Sequence, residues 1–106
     1  MHWLILVLAG LFEVAWAIGM KYSEGLTKPW WTVFTVITLI ISMGLLNQAM
    51  KSLPVGSAYA VWTGIGAIGT AVLGMILFGE SKELMRIFFI LLIVIGIAGL
   101  RFYSST

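Results

Sequence analysis

Four long apolar segments, separated by short polar ones, dominate the pattern of this 106-residue chain. Each segment is close to the roughly 20 residues that a helix needs to cross the hydrocarbon core of a bilayer. A transmembrane β-barrel would instead need alternating segments of ~10 residues. The pattern predicts an all-α membrane protein, a single domain over residues 1–106, with four transmembrane helices at about 3–20, 30–50, 55–78 and 84–103.

The polar segments between the apolar runs are short connections. They read KYSEGLTK followed by Pro29, then KSLP, then GESKE, and each carries the glycine, proline or charge that interrupts helices. The composition agrees, since 61% of the residues are hydrophobic and 9% are charged, against roughly 45 to 50% apolar residues in a soluble domain. We therefore expect a multi-pass protein of the inner (plasma) membrane.

The first apolar run has one alternative interpretation, a cleaved signal peptide, because Ala15 to Ala17 has the small residues of a cleavage site. Only the terminal amine and His2 supply positive charge before the run, and Glu13 interrupts it. We expect the first helix to be retained. The chain has no cysteine and one histidine, so no metal site and no cofactor are predicted. It also lacks a Ser-His-Asp set and a phosphate-binding loop, and we predict that it is not an enzyme.

The distribution of positive residues is nearly balanced between the two sides of the membrane. One side carries Lys51 and Arg101, and the other carries four residues: Lys21, Lys28, Lys82 and Arg86. Orientation depends on Lys and Arg near the helix ends, so this small difference specifies it weakly. We expect copies to be inserted in both orientations.

Glu13 lies near the middle of the first predicted helix, where a carboxylate costs on the order of 3 kcal/mol on insertion scales. A structural ion pair would need a basic residue at the same depth, but all six Lys and Arg residues lie in connections or at helix ends. An ionisable group inside the membrane usually marks a transport pathway. Glu13 is therefore the predicted site for substrate and protons. The remaining acids are interpreted as solvated charge of the connections: Glu24, Glu80 and Glu83.

Several residues are predicted to line a cavity around Glu13 at mid-membrane depth: Gly10, Trp16, Ser42, Tyr59 and Trp62. A carboxylate near aromatic rings suits a small organic cation, because the rings attract it through cation–π interactions. A planar guanidinium could also form two parallel hydrogen bonds with the carboxylate. Cation and proton would then compete for one group. Packing alone remains the alternative for each aromatic residue.

Glycines on the third predicted helix allow close approach of neighbouring helices. Gly64 and Gly66 belong to two series of small residues and are predicted to serve either as a hinge or in packing. The stretch IFFILLIVIGIAGL within the fourth predicted helix has no polar side chain. We expect it to mediate association between chains.

The stretches FEVAWAIGMKYSEG around Glu13 and LPVGSAYAVWTGIG from Leu53 to Gly66, with GESKE and the Gly96-Ile97 pair, resemble the small multidrug resistance family of four-helix transporters. The resemblance covers nearly the whole chain. It implies that the glutamate binds substrate and protons, and that the protein works as an antiparallel homodimer with both orientations inserted.

Within that family, the stretch GLFEVAW resembles the guanidinium-exporter subtype, since quaternary-ammonium exporters usually have a glycine where Trp16 stands. The resemblance implies that Ser42 and Trp16 form hydrogen bonds with Glu13, and that Tyr59 and Trp62 line the same cavity. Phe89 departs from the family pattern, which often has glycine at this position.

The sequence thus leads to a proton-coupled antiporter that exports guanidinium or a related small cation by alternating access, with the bilayer and a second copy as its partners and no nucleic acid. Two alternatives stay open. One is an exporter of quaternary ammonium and lipophilic cations with the same fold. The other is a helper subunit that transports nothing and binds a partner membrane protein.

Overall fold

The computed structural model of the protein describes residues 2–103, which form four α-helices in succession. They are α1 (His2–Tyr22), α2 (Pro29–Met50), α3 (Val55–Leu77) and α4 (Leu84–Tyr103). All four are long and apolar enough to cross a membrane. The prediction of an all-helical chain with four membrane-spanning helices is confirmed.

Proline and glycine set the limits of several helices. Pro29 occupies the start of α2, where its missing N–H costs nothing because the first N–H groups of a helix have no partner in the helix. Pro54 directly precedes α3. After α3, Gly79 adopts a positive φ of 64°, a conformation that glycine enters without a steric penalty. The chain can therefore turn sharply into the connection that leads to α4.

The connection between α1 and α2 is a tight left-handed turn. Glu24, Gly25 and Leu26 have positive φ angles of 50°, 77° and 69°, which strain residues other than glycine. The buried Ser23 holds this turn in place, because its hydroxyl donates to the Met20 carbonyl (2.7 Å) and accepts from the Leu26 N–H (3.0 Å). The turn is thereby fixed to the end of α1.

Helices α1, α2 and α3 form the packed core, and α4 packs along α3. Glycines allow helices to approach closely: Gly19 of α1 faces Thr35 of α2, and Gly64 of α3 faces Ile97 of α4. Consecutive helices run in opposite directions, so α1 and α3 are parallel. The buried core cluster joins the three packed helices and the connection before α3: Leu6, Ala9, Leu46, Ala49, Leu53, Ala58, Val61 and Trp62.

Helix α4 lies at the edge of this core, and none of its described residues is buried. Open space surrounds Gly96 and Gly99, and Phe89 is exposed. Near the end of the helix, the Arg101 guanidinium lies 5.0 Å from the centre of the Trp3 ring of α1. Most of the α4 surface is therefore available for lipid or another chain.

Candidate functional site

The Glu13 side chain lies against Gly66, at the contact between α1 and α3. A Cβ atom added at Gly66 would collide with the Glu13 carboxyl group. The missing side chain of this buried glycine makes room for the acid inside the packed helices. From the sequence, Gly66 was predicted to serve either as a hinge or in packing. Its contact with the Glu13 carboxyl group was not predicted. Its spacing was the available signal, because Gly66 follows Tyr59 and Trp62 on one helical face.

The described residues offer the Glu13 carboxyl group few hydrogen bonds or charges that would offset the cost of its burial. Its Oε1 atom is buried and accepts no hydrogen bond from the described residues. The ion pairs found within residues 2–103 are both near the membrane surface, Lys28 with Glu24 (3.3 Å) and Arg86 with Glu80 (2.7 Å). A buried carboxyl oxygen without a donor is unfavourable. This arrangement leaves the group able to bind a proton or a cation that carries donors.

One turn before Glu13, a buried hydrogen-bond network joins three helices. The Trp62 indole N–H of α3 donates to the Ser42 hydroxyl of α2 (2.9 Å), and this hydroxyl donates to the Ala9 carbonyl of α1 (2.7 Å). The Ala9 carbonyl is also the ordinary helical acceptor for the Glu13 N–H, four residues further on. The network therefore fixes the α1 backbone at the turn that carries Glu13.

Ser42 and Trp16 are placed differently from what the family resemblance implied. The Ser42 hydroxyl gives its proton to Ala9 rather than to Glu13. The Trp16 indole nitrogen is buried and has no hydrogen-bond partner among the described residues. Trp16 follows Glu13 by three residues on the same helix, and its N–H does not reach the carboxyl group. In this structure neither residue donates to Glu13.

Removal of the Ser42 hydroxyl should destabilise the protein. In Ser42→Ala the buried Trp62 N–H loses its acceptor, and an unsatisfied buried donor costs about 1 to 3 kcal/mol. We expect the free energy of unfolding, measured by SDS titration in mixed micelles, to fall by that amount. Thr32→Ala on the same helix is the control, because the exposed Thr32 hydroxyl donates to the Lys28 carbonyl four residues earlier. Equal losses in both variants would contradict a special role for the network.

The remaining predicted cavity residues lie on both sides of this network. The rings of Tyr59 and Trp62 are 5.6 Å apart, centre to centre, and tilted by 55°. Trp62 is buried, whereas Tyr59 is 56% exposed, so Tyr59 faces away from the core of its own chain. Gly10 does not open onto free space, because a Cβ at this position would lie 2.6 Å from the Ile65 side chain. Gly10 thus lets α1 approach α3.

Comparison with known proteins identifies close relatives. The sequence profile of the family described as Small Multidrug Resistance protein matches residues 1–93. The guanidinium exporter of Proteus vulgaris is 51% identical over 104 residues, which cover 98% of this chain and all of the relative. The guanidinium exporter of Escherichia coli K12 is 57% identical over 101 residues, covering 95% and 96% of the two chains. That of Yersinia pestis is 56% identical over 104 residues, covering 98% and 100%.

These relatives carry the name of an exporter, which confirms the prediction that the chain is not an enzyme. Together with the four apolar helices, the match also confirms the predicted location, a multi-pass protein of the inner membrane. The family profile covers most of the chain, and the relatives are aligned along nearly all of it. The protein belongs to the small multidrug resistance family.

Proposed function

We propose that this protein exports guanidinium in exchange for protons, with Glu13 as the shared binding site. The observation that carries the proposal is the Glu13 carboxyl group, which lies inside the helix bundle with Oε1 buried and without a hydrogen-bond donor among residues 2–103. The curated relatives named guanidinium exporters support the choice of cation. Guanidinium carries only donors, and its planar edge matches the two oxygens of a carboxylate.

Coupling follows from competition for one carboxylate. A protonated Glu13 has no charge with which to hold guanidinium, and a carboxylate occupied by guanidinium does not bind a proton. Glu13 is near the middle of the 21-residue α1, about 15 Å from either end at 1.5 Å per residue. If Glu13 is exposed to each side of the membrane in turn, one cation is moved out of the cell in exchange for protons that move in.

Proton-driven uptake into liposomes tests the proposal directly. Purified protein, with no other membrane protein present, should accumulate guanidinium against its gradient when a proton gradient is imposed. Tetramethylammonium and a large aromatic cation should be transported far less. Strong transport of the aromatic cation would favour the quaternary-ammonium alternative. Absence of all transport by the purified protein would favour the helper-subunit alternative.

Trp16 supports a small substrate. Its bulky indole is partly buried one turn from Glu13, so it reduces the room beside the acid. In Trp16→Gly we expect the ratio of guanidinium to tetramethylammonium transport to fall, because space is gained while an aromatic face is lost. Uptake assays with both cations measure this ratio. Trp30→Gly is the control, since Trp30 is 85% exposed at the start of α2. An unchanged ratio in Trp16→Gly would contradict the proposed role of the indole.

The functional unit that we propose is an antiparallel homodimer. One membrane acid per chain gives a two-acid site only when two copies face each other. The outward position of Tyr59 and the exposed surface of α4 supply surfaces for a second copy. Two inverted copies of one chain can produce inward-open and outward-open states by exchanging their conformations, a scheme related to that of inverted repeats.

Opposed insertion predicts an equal split of the copies between the two sides. The chain has no cysteine, so His2→Cys introduces a single thiol at the exposed start of α1. On intact cells an impermeant thiol reagent should label about half of the copies, the share that symmetric pairing requires. Permeabilisation should then expose the other half. Labelling from one side only would contradict the antiparallel homodimer and indicate a parallel assembly or a sister chain.

A further inference from the structure

The contact between α1 and α3 continues beyond Glu13 into a cavity of about 120 Å³. Five residues of the two helices contribute to its wall: Ala17, Ile18, Lys21, Thr70 and Gly74. On α1 the wall begins one helical turn after Glu13, and on α3 it begins one turn after Gly66. The two helices run parallel, so the cavity lies between Glu13 and the membrane surface, starting about 6 Å from the acid along the helix axis.

Glu80, in the connection after α3, forms part of the wall at the surface end of this cavity. A Cβ added at Gly74 would collide with the Glu80 carboxyl group, so the acid lies flat on the helix. The Glu80 N–H also donates to the Gly74 carbonyl (3.2 Å). The carboxylate is thus held at the mouth of the cavity by backbone geometry. The sequence had suggested no more than a solvated loop charge at this position.

Arg86 of α4 already places a guanidinium group on this carboxylate. Its Nη2 atom donates to Glu80 Oε1 (2.7 Å), and its Nη1 atom donates to the Ser81 carbonyl (3.2 Å). The Arg86 side chain is 32% exposed and that of Glu80 44% exposed. Ion pairs with this degree of exposure contribute little to stability, so a competing cation has little interaction energy to overcome.

We propose that Glu80 is a second binding site for guanidinium-type cations, at the mouth of the path to Glu13, where Arg86 occupies the carboxylate until the substrate displaces it. The inference rests on the proposed function in its choice of substrate. Its chemical basis is that free guanidinium and the arginine head group are the same planar donor, so both fit one carboxylate. The displacement of Arg86 opens the cavity to water.

The charges around the cavity indicate brief occupancy by the cation. Lys21 also lines the cavity, and its Nζ atom lies 5.7 Å from the centre of the Phe78 ring. Lys21 and Arg86 together outweigh the single negative charge of Glu80, so a cation at this point is held weakly. A site on a release path must let its ligand go, and weak retention serves that purpose.

Thiol accessibility tests the inference without any transport measurement. Thr70→Cys places a thiol in the cavity wall of a chain that otherwise has no cysteine. Purified protein in detergent is treated with 2-hydroxyethyl methanethiosulfonate, which is neutral and water-soluble. We expect guanidinium chloride to raise the rate of modification several-fold above the same concentration of sodium chloride. The same increase should appear in the Glu13→Gln background, because Glu80 is a separate site.

Variants of the ion pair complete the test. Adding Arg86→Gln or Glu80→Gln to Thr70→Cys should raise the basal rate several-fold and abolish the response to guanidinium. Glu24→Gln, which breaks the exposed pair with Lys28 in the other connection, should change neither. Equal effects of guanidinium and sodium, or unchanged rates in both ion-pair variants, would overturn the second site even if transport occurs. The expected thiol responses without transport would instead reject the proposed function and leave the second site standing.

Discussion

Glu13→Gln should abolish proton-driven guanidinium transport and leave the protein folded. The amide keeps the shape of the carboxyl group that lies on Gly66, but it carries no charge for the cation and takes up no proton. Insertion of the first helix should become easier, since a charged acid at mid-membrane costs on the order of 3 kcal/mol. Uptake into liposomes that contain the variant should fall to the level of protein-free liposomes.

A matched control separates this effect from a general loss of negative charge. Glu24→Gln removes an acid from the exposed connection between α1 and α2 and should transport like the parent protein. Both variants should have parental free energies of unfolding in SDS titration. Accumulation of guanidinium against its gradient by a folded Glu13→Gln protein would show that another residue couples the cation to protons.

The four helices were predictable from the sequence for a simple physical reason. Inside lipid every backbone polar group needs an internal partner, so an apolar run of about 20 residues has few alternatives to a helix. Glu13 stood out as a candidate site in the same way, because this acid interrupts a long apolar run far from any basic residue. Both inferences depend on depth in the membrane, which a sequence records directly.

Contacts between helices were harder to predict, because a sequence does not record how a helix is rotated about its axis. Ser42 was predicted to lie near the depth of Glu13, and its hydroxyl bonds the Ala9 carbonyl, one turn before the acid. Gly10 was expected to line a cavity, yet Ile65 of α3 covers it. In both cases the way the helices pack against each other decides the partner of the side chain, and a sequence pattern does not contain that information.

The connection after α3 shows a different limit. Glu80 lies two residues before Lys82 in the sequence, but its partner is Arg86, six residues later on α4. The backbone turn at Gly79, with its φ of 64°, directs the chain so that Glu80 lies on Gly74 and faces Arg86. The charge pattern of the sequence does not show which nearby basic residue pairs with Glu80. The conformation of the turn decides it. The Glu80–Arg86 pair could therefore not be predicted from the charge pattern without the turn geometry.

Gly66→Ala should impair transport far more than it impairs folding. The added Cβ would occupy the position of the Glu13 carboxyl group. The obstructing atoms are at the end of a flexible side chain, so the helices can stay packed while the carboxyl group swings aside. Alanine also favours a helix over glycine by about 1 kcal/mol, which offsets part of any strain. We expect a near-parental free energy of unfolding and proton-driven guanidinium uptake reduced by at least about tenfold, equivalent to about 1.4 kcal/mol of lost binding.

Gly44→Ala on α2 is the matched control for this loss. Apart from its chain neighbours and the backbone of its own helix, no atom of the described residues lies within 4 Å of a Cβ added at Gly44. This variant therefore gains the same helix propensity and should transport normally. A second change distinguishes displacement of the acid from general damage to the contact between α1 and α3. Glu13→Asp shortens the side chain by one methylene, so adding it to Gly66→Ala should restore part of the uptake lost in Gly66→Ala alone. If Gly66→Ala transports like the parent, the carboxyl group does not need its position on Gly66. If it unfolds and Glu13→Asp restores nothing, Gly66 acts only in packing.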